Sequence, residues 1–122
     1  TLNFVGDVEI MIIASDTTGE YAVDTLTLTI ENINDSPVLA TIADQTTNED
    51  TATAVILSAT DIDGDSLIFT ASSADTNVTA SVSNDTLTLT PAANWNGQAA
   101  ITVIVTDNGL VLFQTQYRLH LQ

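Results

Sequence analysis

Thr25-Leu26-Thr27-Leu28-Thr29-Ile30 alternates polar and apolar residues without a break. Successive side chains of a strand point to opposite faces, so Leu26, Leu28 and Ile30 are predicted to face inward from a strand spanning Ala22 to Glu31. Upstream, Val8 to Ser15 reads as a partner strand, and Asp16-Thr17-Thr18-Gly19 supplies the turn between them. Thr, Val, Ile and Leu keep alternating through most of the chain, and no apolar stripe of helical period interrupts them. The fold class is all-β.

The same pattern returns 91 residues downstream. At that offset Asn3 matches Asn94, Gly6 matches Gly97, Ile10 matches Ile101, Ile13 matches Ile104, Asp16 matches Asp107 and Leu28 matches Leu119. The aromatic residues Phe4 and Trp95 align as well. A fixed internal period signals an array of modules rather than a single enzyme fold. Residues 1–31 therefore read as the closing strands of a preceding repeat, 32–37 as a linker rich in turn formers with Pro37, and 38–122 as a complete repeat. Within the complete repeat we expect seven strands, at Val38–Ala43, Ala52–Thr60, Leu67–Ala71, Val78–Val82, Thr86–Thr90, Ala99–Thr106 and Val111–Leu121, with tight turns at Asn96-Gly97 and Asn108-Gly109. Seven short strands of this spacing predict a Greek-key β-sandwich of immunoglobulin-like type.

The 122 residues, 44% of them apolar, suffice for the core of one domain and not for two. Sixteen acidic residues face Arg118 and no lysine, for a formal charge of −15. Such a surplus repels phosphate backbones and anionic headgroups, which removes nucleic acid and membrane insertion from the expected partners. It also repels itself, so a salty medium or bound cations must offset it, and both suit an extracellular or cell-surface setting. Without cysteine there is no disulfide framework and no thiolate ligand or nucleophile.

Three clusters carry oxygen ligands: Asn32, Asn34 and Asp35 in the linker; Asp61, Asp63 and Asp65 in Asp-Ile-Asp-Gly-Asp; and Asp107 in Thr-Asp-Asn-Gly. A seven-strand sandwich brings the loops holding these clusters to the end where the chain enters the domain. Hard divalent cations take about six to eight oxygens, whereas zinc and copper want imidazole or thiolate. With a single histidine and no cysteine, the favoured ion is Ca2+. The loop is not an EF-hand, because its glycine is fourth, no glutamate closes it and strands flank it.

Ile33-Asn34-Asp35-Ser36-Pro37, Asn48-Glu49-Asp50-Thr51, Ala59-Thr60-Asp61-Ile62-Asp63-Gly64-Asp65, Pro91 to Gly97 and Val105-Thr106-Asp107 together resemble the cadherin-like tandem repeats of large bacterial surface and secreted proteins. The resemblance spans nearly all of residues 32–121. It implies calcium shared between neighbouring domains through Asn34, Asp35, Asp61, Asp63 and Asp107, and half of a further site at Glu49 and Asp50. Asn32 stands where animal cadherins carry aspartate.

The expected role is a non-enzymatic calcium-binding repeat, a rigid spacer or adhesion module whose ions fix the orientation of successive domains. The alternative is a carbohydrate-binding module appended to a secreted polysaccharide-active enzyme, which would use Trp95 as a sugar platform. Alignment of Trp95 with Phe4 before a turn favours a core plug instead, and Tyr21 and Tyr117 are expected to cap the apolar layer. His120 alternates with Leu119 and Leu121, which puts it on the solvent face rather than in a catalytic triad. Expected partners are neighbouring repeats of the same chain, other cell-surface proteins or polysaccharide, and another copy through strand exchange of residues 1–31, whose apolar face would otherwise stand uncovered.

Overall fold

The computed structural model describes residues 4–107 and 112–121, the second stretch by its backbone. Among the described residues every regular element is a strand. The chain forms two units, Thr1–Asn34 and Asp35–Gln122.

The first unit is a hairpin. Its strands β1 (Gly6–Ser15) and β2 (Tyr21–Ile30) pair antiparallel in continuous register from Gly6↔Ile30 to Ser15↔Tyr21. Asp16 builds the turn: its Oδ1 accepts hydrogen bonds from the Thr18 amide (2.8 Å), the Thr18 hydroxyl (2.7 Å) and the Glu20 amide (3.1 Å). These three donors stabilise the charged form, with the Thr18 hydroxyl the strongest, and hold the Asp16 carboxyl below its ordinary value. Cross-strand pairs Val8↔Leu28 and Ile10↔Leu26 lie on one face, as the alternation requires. That face is not buried, however. Leu26 and Leu28 are 44% and 47% exposed, because two strands supply no second layer to cover them. Tyr21, expected as a cap, is exposed as well.

The second unit contains nine described strands: β3 (Val38–Leu39), β4 (Gln45–Thr47), β5 (Thr53–Ile56), β6 (Ala59–Thr60), β7 (Ile68–Ser73), β8 (Val78–Ser83), β9 (Thr86–Pro91), β10 (Gly97–Thr106) and β11 (Leu112–Leu121). They make a four-stranded sheet ordered β4-β11-β10-β7, a three-stranded sheet ordered β5-β9-β8, and the small pair β3-β6. Alternation places Leu87 and Leu89 of β9 and Ala99, Ile101, Val103 and Val105 of β10 in a common core with Leu39, Leu57 and Val78. Each fully buried aliphatic side chain of this set contributes about 1.5–3 kcal/mol by leaving water.

The elements differ from the seven expected in two places. The segment Ala52–Thr60 is split: β5 pairs with β9, β6 pairs with β3, and between them the Leu57 amide donates to the Asp85 carbonyl at 2.7 Å while its side chain enters the core. Val38–Ala43 shortens to Val38–Leu39, and an unexpected strand, β4, runs parallel to β11 from Leu119↔Gln45 to Leu121↔Thr47. The tight bend expected at Asn96-Gly97 falls earlier, at Ala92–Trp95, where the Trp95 amide donates to the Ala92 carbonyl and Asn94 adopts a φ of 56°. The Asn108-Gly109 turn and the side chains of Tyr117 and His120 lie outside the described residues.

Candidate metal centre

Asp61-Ile62-Asp63-Gly64-Asp65 connects β6 to β7, and its first residue organises it. Asp61 Oδ1 accepts hydrogen bonds from the amides of Asp63 (2.8 Å) and Asp65 (3.3 Å), which curls the backbone around that carboxylate. Gly64 completes the curl at a φ of 77°, in the left-handed region that favours glycine. Every second residue then turns the same way, and the carboxylates of Asp61, Asp63 and Asp65, all half-buried, each place one oxygen within 4.8 Å of the others. That span matches two ligand oxygens on opposite sides of one calcium ion, at bond lengths of about 2.3–2.6 Å.

Two neighbours frame the loop. The Asp35 amide donates to Asp63 Oδ2 at 2.7 Å, so the chain entering this unit is tied to the acidic turn. Buried Pro37 follows at once. On the other side the pair Thr106↔Ile68 ends the β10–β7 ladder, and Asp107, the next residue, is 8% exposed and the only buried charged residue among those described. Asp107 thus stands level with the stretch that joins Asp65 to β7. Asn32 and Asn34 belong to the Thr1–Asn34 unit, Asn32 exposed and Asn34 half-buried.

The donor set fits a hard cation. It offers oxygen alone, and Asp61 Oδ2 is buried without a hydrogen-bond partner. A buried carboxylate oxygen left unpaired carries a desolvation cost that a cation would remove. Arg118, the single arginine of the chain, pairs through its backbone with Ala100 on β10, six residues or about 20 Å of strand from Thr106. The trio can hold a metal ion.

Asp50, expected with Glu49 to form half of a further site, has a φ of 62° and accepts the Asn94 amide on its Oδ1 at 2.7 Å, which ties the β4–β5 connection to the Ala92–Trp95 turn. Trp95 packs against the core, and its ring lies so close over Gly97 that a Cβ there would sit 2.9 Å from Trp95 Cζ2. This is the plug role expected for it.

Comparison with known proteins agrees with this architecture. The model of the cadherin-like domain family matches residues 33–122. The chain belongs to the cadherin-like domain family. No curated protein matches its sequence. Among solved structures, the cadherin-like chain is similar to a nucleoside hydrolase-related hypothetical protein from Saccharophagus degradans associated with carbohydrate metabolism (20% identity, TM-score 0.60, covering 73% of this chain and 26% of that one). It is also similar to an endo-fucoidan hydrolase of glycoside hydrolase family 107 (18%, 0.53, 99% and 19%) and a putative α-galactosidase from Bacteroides fragilis (8%, 0.55, 78% and 19%). Identities this low establish shared fold. The chain spans between about a fifth and a quarter of the length of these neighbours.

Proposed function

We propose that this cadherin-like domain is a calcium-binding repeat of an extracellular or cell-surface protein, working as a spacer without catalysis. The observation that carries the reading is Asp61 Oδ2, buried without a hydrogen-bond partner within a cluster of three carboxylates. Asp61, Asp63 and Asp65 would hold the ion. Asp35 and Asp107 frame the same loop, and the cadherin resemblance adds Asn32 and Asn34 from the residues just upstream. Calcium supplies positive charge to a loop that otherwise repels itself, and an ion that binds only the folded loop stabilises it by about 2.7 kcal/mol at a hundredfold excess over Kd. In a chain of such repeats the same linkage would stiffen the connection between modules.

Calcium titration by calorimetry tests the binding step. The unmodified chain should release or absorb heat with a saturable isotherm, and Asp61→Asn combined with Asp63→Asn should abolish it. Equal heats from the two proteins would remove these ligands from the proposal. Small-angle scattering with and without chelator tests the spacer step, for which unchanged dimensions would be the contrary result.

A second reading, a carbohydrate-binding module beside a polysaccharide-active enzyme, draws support from the hydrolases among the structural neighbours. The packing of Trp95 against the core weakens it, since a sugar platform needs an exposed ring. Tryptophan emission left unmoved by polysaccharide would count against this reading.

A further inference from the structure

β7 and β8 follow one another in the chain but belong to different sheets, each as the outermost strand: β7 ends the order β4-β11-β10-β7 and β8 ends β5-β9-β8. Among the described residues no ladder joins them. Their connection, residues 74–77, is pinned where the Ala74 amide donates to the Ala100 carbonyl at 2.9 Å and the Val78 amide to the Asp75 carbonyl at 3.2 Å. Away from that connection the seam opens into a cleft of about 690 Å³, lined by Leu67, Ile68, Phe69, Val82, Asn84 and Asp85. Its floor is apolar. Leu67 and Phe69 come from one sheet and Val82 from the other, all half-buried and packed against the core.

The rim is polar and fixed. Asn84 and Asp85 form the exposed two-residue turn between β8 and β9, closed by the pair Ser83↔Thr86. Asn84 holds a φ of 55°, and the Asp85 carbonyl accepts the Leu57 amide at 2.7 Å, so a core residue anchors the turn. The Asp85 carboxylate takes a long bond, 3.3 Å, from the Thr86 hydroxyl. A volume of this order, apolar walls and a few placed polar groups are the ordinary make-up of a small-ligand site. Charge then narrows the ligand. Among the described lining residues one is acidic and none basic, and the chain as a whole carries −15, which repels anions from the mouth and draws cations to it.

We propose that this cleft binds a small organic cation, with an aliphatic or aromatic body on Leu67, Phe69 and Val82 and a protonated amine on the Asp85 carboxylate. The Asn84 side-chain oxygen is the second acceptor at the rim. Both halves of the ligand are needed, since a bare ammonium gains nothing from the floor and an apolar body alone gains nothing from Asp85. The proposal stands apart from the calcium reading, because the three carboxylates of the metal centre take no part in it.

Amide-resolved NMR titration of the unmodified chain tests it, with phenethylamine as the probe and excess calcium present so that ammonium does not compete for Asp61, Asp63 and Asp65. Shifts should centre on residues 67–69 and 82–85, with a Kd on the order of 1 mM for a probe of about nine heavy atoms. Phenylacetate, with the same ring and the opposite charge, should not bind. 2-Phenylethanol and ethylamine each keep one half of the chemistry and should bind about fivefold more weakly or worse, fivefold being what an exposed ion pair contributes at most. Asp85→Asn keeps the turn and its carbonyl, and should bring phenethylamine down to the affinity of 2-phenylethanol. Val82→Trp should fill the cleft and remove binding of both; should that variant lose its fold, the Asp85→Asn comparison still decides. Shifts confined to residues 61–65, phenylacetate binding as tightly as phenethylamine, or an Asp85→Asn titration identical to that of the unmodified chain would overturn the proposal.

Discussion

β1–β2 and β10–β11 share length, register and turn position, yet Ile101 is fully buried while Ile10 is 38% exposed. The strands themselves are thus the lesser part of the stability of a cadherin-like domain. Backbone pairing exchanges one set of hydrogen bonds for another at a net gain of roughly 1 kcal/mol or so each, and two strands alone stay marginal. Layering a second sheet is what turns the same alternation into a core. The two aspartates at the ends of β1 and β10 show the same division. Asp16 is exposed and spends one oxygen on its own turn, whereas Asp107 is buried beside the β7 entrance.

Four measurements break or sharpen this comparison. Ile101→Ala should lower the unfolding free energy by about 2–5 kcal/mol, and Ile10→Ala should change it by less than about 0.5 kcal/mol, both read from urea melts followed by Trp95 fluorescence. Equal effects would mean that the hairpin is covered in solution. Calcium at a hundredfold excess over Kd should raise the stability of the Asp35–Gln122 unit by about 2.7 kcal/mol and chelator should reverse it, with no change on Asp61→Asn plus Asp63→Asn.

Next in size, Gly97→Ala should cost about 1–3 kcal/mol, since the new Cβ meets Trp95 at 2.9 Å and the residue must keep a φ of 157°. A red shift of the Trp95 emission would accompany the loss. Gly6→Ala should leave the same melt unmoved. The smallest effect concerns Asp16. Its carboxyl titrates lower in the folded hairpin than in the unfolded chain, so the turn gains stability above the unfolded value and loses it as pH falls through the folded one. The amide resonances of Thr18 and Glu20 should move with that titration, and Asp16→Asn should flatten the response.

Much of the fold was legible because two strands obey period two without exception: Thr86–Pro91 and Gly97–Thr106 bury each alternate residue. The break between β5 and β6 was not, because Leu57 continues the alternation while the ladder changes partner from β9 to β3. Periodicity reports the face a side chain takes and is blind to which neighbour the backbone pairs with. β4 was hidden for another reason: Gln45-Thr46-Thr47 has no apolar side, and its place is set by the edge of β11. Around the site, the spacing of Asp61, Asp63 and Asp65 was enough to gather three carboxylates, since a glycine-assisted turn aims alternate residues together. The bond from the Asp35 amide to Asp63 joins positions 28 apart in sequence, and no local pattern announces it.

The parallel pairing of β4 with β11 also sets a clock on biosynthesis. Gln45 must wait for Leu119, 119 − 45 = 74 residues later, before its edge is closed. At about 5–20 residues per second the ribosome takes several seconds to deliver that strand, and during the interval the edge of Gln45–Thr47 has no strand to pair with. A nascent chain in that state is a sticky intermediate. The −15 charge, in keeping such intermediates from one another, would serve the protein before it is folded.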